Sequence, residues 1–319
     1  MIEYDLAAND LGEVRFAISP MNELVLSLRA LRDPGRFPLQ LPWLRATEPA
    51  RAQLDLDLLL ALSNEVLWVP DFLTPRPHTP LGKIDDELAA VSTTPSSVVR
   101  ADLARVHPDS LPPVLRGRPD RLLTRVLAAL SQYWETCFTP YWPRMRTILE
   151  SDVVYRGRVI AQSGLAAMFT DISPQVRLTG LTLQIILRTD LTYRTSAAGR
   201  GLTLVPSLFS RRASTPISPE EPPHLMYPAR GLATLWETPP PASPQALTNL
   251  IGQSRTHLLT LLETPTSSTE LSVRLNVTPT AVNQHLRALH TAGLLTKARH
   301  GRSVLYYRSD LGDQLLRGI

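Results

Sequence analysis

The sequence predicts an α+β protein in two parts: a mixed helix/strand domain over residues 1–237 and a small, mainly helical domain over residues 244–319. Three observations lead there. Helix-period patterns dominate up to about Gln162, and strand-like runs follow them, the order expected of α+β architecture. The stretch "ETPPPASP", Glu237 to Pro244, sets three consecutive prolines between the parts, which favours a stiff polyproline spacer. The charge is also unevenly divided. From Pro244 onward eight Lys/Arg stand against four Asp/Glu, whereas the residues before carry 25 of each, so the whole net charge of +4 lies in the last part.

In chain order, "EVRFAIS" (Glu13–Ser19) reads as a strand and "NELVLSLRALRD" (Asn22–Asp33) as a helix. Further helices are expected at Asp85–Val91 and Ser96–Val106. The strongest, Asp120–Phe138, places Leu123, Val126, Leu127, Leu130 and Trp134 on one face. Thr139 and Pro140 suit the cap and first position of a following helix that runs to about Gln162. Then "VRLTGLTLQIIL", "LTLVPSLF" and "HLMYP" read as strands, and "TPRPHTP" and "STPISPEEPP" as long irregular loops.

Several function classes are disfavoured by what this part contains. The most apolar stretch, "LDLDLLLALSNEVLWV", is interrupted by Asp55, Asp57 and Glu65 and is too short and too charged to span a bilayer. "MIEYDLAAND" lacks the basic start and apolar run of a signal peptide. Cys137 is the single cysteine, which fits a reducing compartment, so a soluble cytoplasmic protein with no membrane partner is expected. "AAGRGL" lacks the third glycine of a dinucleotide fingerprint and precedes a strand-like run. No Walker-type loop, nucleophile elbow or His-Glu-x-x-His helix is present, so no catalytic residue and no cofactor is assigned. Arg146/Glu150 and Asp152/Arg156 have the i,i+4 spacing of structural ion pairs. Tyr133, Trp134, Phe138, Tyr141 and Trp142 gather at a helix junction. A core corner between packed helices is the favoured reading; an effector pocket touching Tyr133, Trp134, Tyr141 and Trp142 is the rival.

The C-terminal part is more specific. Pro244–Glu263 reads as a helix with Ser243 as its cap. Ser267 and Glu270 form a capping-box pattern opening a short helix, Ser268–Leu275. Asn276 stands where the chain must turn sharply, and asparagine tolerates a left-handed backbone. Thr278 and Pro279 open a second helix ending at Ala292, with Gly293 beyond it. On a wheel, Val282, Leu286 and Leu289 share one side, with His285 at the margin as a packed, hydrogen-bonded side chain. Thr280, Asn283, Gln284, Arg287 and Thr291 share the other. Such side chains match major-groove base edges: amides suit adenine, guanidinium suits guanine, and a threonine methyl suits thymine. "LLTKARHGRSVLYYRSD" then reads as a basic hairpin turning at His300-Gly301, with Lys297 and Arg299 on one face and Arg302 at the tip. From Leu271 to Ser309 there is no acidic residue.

With those residues in view, Gln245–Leu316 resembles the winged helix-turn-helix domain of ArsR-type transcriptional regulators. "IGQSRTHLLTLL" resembles that family's first block, "LNVTPTAVNQHLRALHTAGLL" its helix-turn-helix and "RHGRSVLYYR" its wing. The preceding part, with "VPDFLTP", "LTLVPSLF" and "YPARG", resembles the N-terminal region of long actinobacterial members. The resemblance implies a homodimer on double-stranded DNA with an inverted-repeat operator, contacted through Thr278, Thr280, Asn283, Gln284, Arg287, Lys297, Arg299 and Arg302, and controlled by an unidentified small-molecule effector. It also implies metal-sensing positions, but these hold Ser272, Val273 and Arg274 in one helix and only Asp310 and Asp313 in the last, so no metal is expected. The rival function is an enzyme-like N-terminal domain with a winged-helix regulatory module.

Overall fold

Strand β1 (Ile2–Asp5) lies inside a four-stranded sheet whose other members come some 170 residues later, in a computed structural model that describes residues 1–187, 191–235, 244–300 and 303–317. Its partners are β3 (Val176–Thr179), β4 (Thr182–Ile185) and β5 (Tyr193–Ser196), in the order β3-β4-β1-β5. β1 pairs antiparallel with β4 and parallel with β5. Ile2 and Tyr4 are buried on one face, and Arg194 bonds both Asp5 oxygens at 2.7 and 2.8 Å on the other. A second sheet is wholly parallel: β2 (Val14–Phe16), β6 (Leu202–Ser207) and β7 (His224–Pro228), in the order β2-β6-β7. β6 is central and every residue in it is buried, as expected of a parallel strand covered on both faces. Pro206 falls beyond the β2 ladder, which ends at Leu204, so its missing N–H interrupts nothing on that side.

The helices of this N-terminal unit, Met1–Trp236, are α1 (Ala8–Gly12), α2 (Pro20–Arg32), α3 (Leu41–Arg51), α4 (Leu56–Ala61), α5 (Ile84–Ser92), α6 (Ser96–Val106), α7 (Pro119–Tyr133) and α8 (Trp142–Ile172). The Ser19 hydroxyl caps α2 by accepting from the Asn22 N–H, with Pro20 at the first position, so this helix starts two residues before the expected Asn22. Ten of its residues are buried, and it forms the spine of the larger core with Trp43, Tyr133, Phe138 and Phe209. α3 and α4 were not expected; Asp55, which broke up the apolar stretch in sequence, is the N-cap of α4 and accepts from the Leu58 N–H.

After α7 the backbone widens into one π-helical turn, Trp134–Phe138. Pro140 does not open the next helix. Tyr141 N–H turns back to the Phe138 carbonyl at 2.8 Å, and Pro143 takes the first turn of α8 instead. α8 continues past the expected end at Gln162, but Gly164 (φ 83°, ψ 170°) breaks it into two segments. A smaller core lies under the four-stranded sheet against Met168 and Phe169 of the second segment. Arg156 of α8 is 2 % exposed; it pairs with Asp152 at 3.6 Å and with Asp171. Asp152 also accepts from the Tyr227 hydroxyl (2.8 Å) and the Arg230 N–H (3.0 Å), tying α8 to β7. Arg146 and Glu150 pair at 2.7 Å on the exposed side.

The C-terminal unit, Glu237–Ile319, holds α9 (Pro244–Ile251), α10 (Gln253–Leu261), β8 (Thr266–Ser267), α11 (Ser268–Leu275), α12 (Pro279–Thr291), β9 (Leu295–His300), β10 (Ser303–Arg308) and α13 (Asp310–Arg317). The single helix expected over Pro244–Glu263 is two, because Gly252 adopts φ 86° and ψ 150°, a conformation reserved almost entirely for glycine. The expected cap Ser243 and most of the proline-rich stretch lie outside the described residues. Leu258, Leu271, Val282, Leu286, Leu289 and Tyr306 form the unit's own core. Among the described residues no helix is long and apolar enough to cross a membrane.

Candidate nucleic-acid interface

The α11–turn–α12 segment is built by local hydrogen bonds. Ser267 Oγ accepts from the Glu270 N–H at 3.2 Å and caps α11; the Glu270 carboxylate goes to Arg274 at 2.7 Å, so only half of the capping box forms. Asn276 adopts the left-handed conformation (φ 51°, ψ 46°), and Val277 N–H returns to the Ser272 carbonyl, closing the helix. Thr278 Oγ1 then accepts from the Ala281 N–H at 3.3 Å, with Pro279 at the first position of α12.

Burial sorts α12 into two faces. Val282, Leu286 and Leu289 are buried in the core. Thr278, Thr280, Gln284 and Arg287 are exposed, and Asn283 is half-buried; the Thr278 hydroxyl is committed to the cap of α12. His285 is half-buried. The hydrogen bond expected for it is not made: its Nδ1 is buried with no partner among the described residues. It lines a cleft of about 250 Å³ with His257 and Gln253.

The wing is the three-stranded sheet β8-β10-β9. In its register Lys297 lies opposite Tyr306 and Arg299 opposite Val304. Alternation therefore puts Leu295, Lys297 and Arg299 on one face with Val304 and Tyr306. Leu295 and Tyr306 are buried under the core end of that face, whereas Lys297 and Arg299 are exposed further along it. Arg302 and Gly301 lie outside the described residues.

Not every basic residue of the segment is available to a partner. Arg274 is engaged by Glu270, and Arg308 by Asp313 at 2.7 Å. Among the described residues no carboxylate pairs with Arg287, Lys297 or Arg299. Three cations without counter-charges, beside amide and hydroxyl side chains and a capped helix N-terminus, make a surface able to bond phosphates and base edges.

Two family models match the chain. Residues 258–297 match the bacterial regulatory protein family named arsR, and residues 113–231 match a family of unknown function, DUF5937. The C-terminal unit carries an arsR-family domain. No curated protein and no solved structure matches the chain. The arsR-family domain marks a DNA-binding transcription regulator, of a family that is typically not enzymatic. Its matched region spans most of the core-forming leucines, α11, α12 and the first half of β9, with all but two of the expected contact positions inside it: Arg299 and Arg302 lie just beyond.

In the N-terminal unit the four aromatic residues of the rival effector-pocket reading belong to the larger core. Tyr133 is fully buried and its hydroxyl meets Ser27 Oγ at 2.8 Å. Trp134 stacks on Phe138 with centroids 5.4 Å apart, and Trp142 meets Trp134 edge-on. Tyr141 and Trp142 are partly buried against that core. Cys137 is buried beside them, and burial pushes its thiol up to about 11, away from thiolate chemistry.

Proposed function

We propose that the protein is a sequence-specific transcription regulator that works in the cytoplasm as a homodimer on an inverted-repeat operator. Residues 244–319 supply the DNA-binding domain, and residues 1–237 an effector-sensing or dimer-reinforcing domain. The reading is carried by one observation: the exposed side of α12 and the Lys297/Arg299 strand face hold cations unpaired among the described residues and neutral hydrogen-bonding side chains, with no carboxylate among them. Two copies would set their α12 helices into successive major grooves about one helical turn apart. Exposed leucines support a self-association surface on the domain: Leu250 of α9 is 76 % exposed and Leu311 of α13 52 % exposed. The deciding experiment is to incubate the purified chain with sheared genomic DNA and sequence the fragments it retains. Recovery of a few fragments sharing an inverted repeat is expected. Retention without any common sequence would reject specific recognition, and no retention at low salt would reject DNA binding altogether.

A further inference from the structure

We infer that the N-terminal unit binds a small organic anion with an apolar body, in the cleft between α2 and the segment joining β6 to β7. The inference deepens the effector reading above and rests on it for any consequence at DNA.

The cleft has a volume of about 540 Å³, within the range of small-molecule sites. Its polar wall is cationic. Arg29 of α2 and Arg211 and Arg212 of the β6–β7 segment line it, and no carboxylate forms an ion pair with any of the three among the described residues. The other charges of the wall are already compensated: Arg36 pairs with Asp33 at 2.9 Å, and Glu65 with Arg32. Asp71 is the one acid of the wall that acts electrostatically on Arg29, without an ion pair; its two oxygens accept from the Ile217 and Ser218 N–H groups at 2.9 and 2.7 Å, which hold the far end of the β6–β7 segment in place. Two atoms of the wall, Arg29 Nε and Ser214 Oγ, are buried with no hydrogen-bond partner among the described residues. Buried donors are costly when left unmade, and the side chains that carry these two both line the one cleft.

The remaining wall is apolar and is held in shape. Phe37, Trp68 and Phe209 line it, and the Arg211 guanidinium lies over the Phe37 ring at 6.0 Å, bringing charge and aromatic surface together. Trp68 follows Leu67, whose φ of 67° is rare for a leucine. Asn64 Oδ1 maintains that turn by accepting from the Val66 and Trp68 N–H groups at 3.1 and 2.8 Å. A backbone conformation this unusual persists only where its surroundings enforce it. Guanidinium groups at one end and aromatic rings at the other suit a carboxylate or phosphate joined to a hydrocarbon body.

The test is calorimetric titration of the full chain, without DNA, by octanoate, octyl phosphate and octanol. Either anion is expected to bind at least about tenfold more tightly than octanol, because only the anions can form charge-assisted hydrogen bonds with the arginines. The two anions separate a carboxylate from a phosphate site. Arg211→Ala/Arg212→Ala, altering only exposed side chains, should weaken anion binding about tenfold or more. Arg29→Met should do the same, with its thermal melt checking that the fold survives. Absence of binding by both anions, equal binding of octanol, or full affinity in the Arg211→Ala/Arg212→Ala protein would each overturn the inference. Retained genomic DNA is then titrated with the tighter anion: binding that leaves DNA affinity unchanged would reject the effector reading while the site stands.

Discussion

At the scale of single residues, the two sides of α12 predict different consequences for substitution. Arg287 is exposed and has no counter-ion among the described residues, so Arg287→Ala removes a contact without disturbing the core. Its affinity for the selected DNA should fall by roughly 1–3 kcal/mol if it reads a base. Lys297→Ala should weaken binding to all duplexes and lower the salt dependence by about one counter-ion. Measuring both variants against specific and scrambled duplexes over a salt series separates these effects, and unchanged affinity in both would remove α12 and the wing from the interface. Asn276 offers a stability counterpart. Its left-handed backbone tolerates glycine but strains a β-branched side chain, so Asn276→Gly should be near neutral and Asn276→Val should cost about 1–2 kcal/mol in denaturant unfolding. Equal stability of the two would mean that the turn relaxes.

At the scale of elements, the polar link between α8 and β7 is the one most exposed to disruption. Asp152 and Arg156 are both almost fully buried, and Asp152 satisfies the Tyr227 hydroxyl and the Arg230 N–H at once. Arg156→Met removes the guanidinium but leaves the buried carboxylate, a change that costs about 3–5 kcal/mol where a buried pair is broken on one side. The pairwise change Asp152→Asn/Arg156→Met should recover a large part of that loss in a thermal melt. If the single variant melts with the parent protein, the pair contributes little to holding these elements. The i,i+4 spacing of this pair was visible in the sequence, but Tyr227 and Arg230, some 75 residues away, were not. The same limit applies to α12 and the wing. Their caps, turn residue and alternation follow from local backbone preferences, whereas the neutralisation of Arg308 by Asp313 depends on how α13 folds back on β10.

At the scale of the molecule, buried acids set the response to pH. Burial raises Glu23, Glu87 and Asp71 to about 7. Glu23 accepts from the Leu208 N–H through Oε2, while its Oε1 has no hydrogen-bond partner among the described residues. In the folded chain these carboxyls keep protons that the unfolded chain releases above its ordinary carboxylate range, so their contribution is greatest at low pH and is lost as pH rises through 7. His224 acts in the opposite sense: burial lowers it to about 4, so the unfolded chain takes up a proton below about 6.5 that the folded chain refuses. Burial also raises Asp102 and Glu221 and lowers His107, so five raised acids against two lowered histidines predict a melting temperature that falls between about pH 5 and pH 8. Glu23→Gln keeps an acceptor for the Leu208 N–H and should reduce that fall, with stabilisation of about 2 kcal/mol at the alkaline end. A melting temperature that climbs steadily over this range would contradict the sign.

The sequence by itself determined the helix-turn-helix and its wing, because caps, a left-handed asparagine, a proline at a helix start and strand alternation act over a few residues each. It also carried the α+β class, through the change of hydrophobic period along the chain. Only the tertiary structure decided what lies far apart in sequence. The first strand enters the middle of a sheet made by residues near 180, and a four-residue run such as "IEYD" has too little periodicity to announce it. Gly252 breaks a helix whose side-chain pattern runs on unbroken, since backbone sign is not written in hydrophobic spacing. Arg29, Asp71 and Arg211 each look like ordinary surface charges in sequence. Folding brings them to one cleft, and it is packing, through burial and the pairing of neighbouring charges, that decides which of them remain without partners.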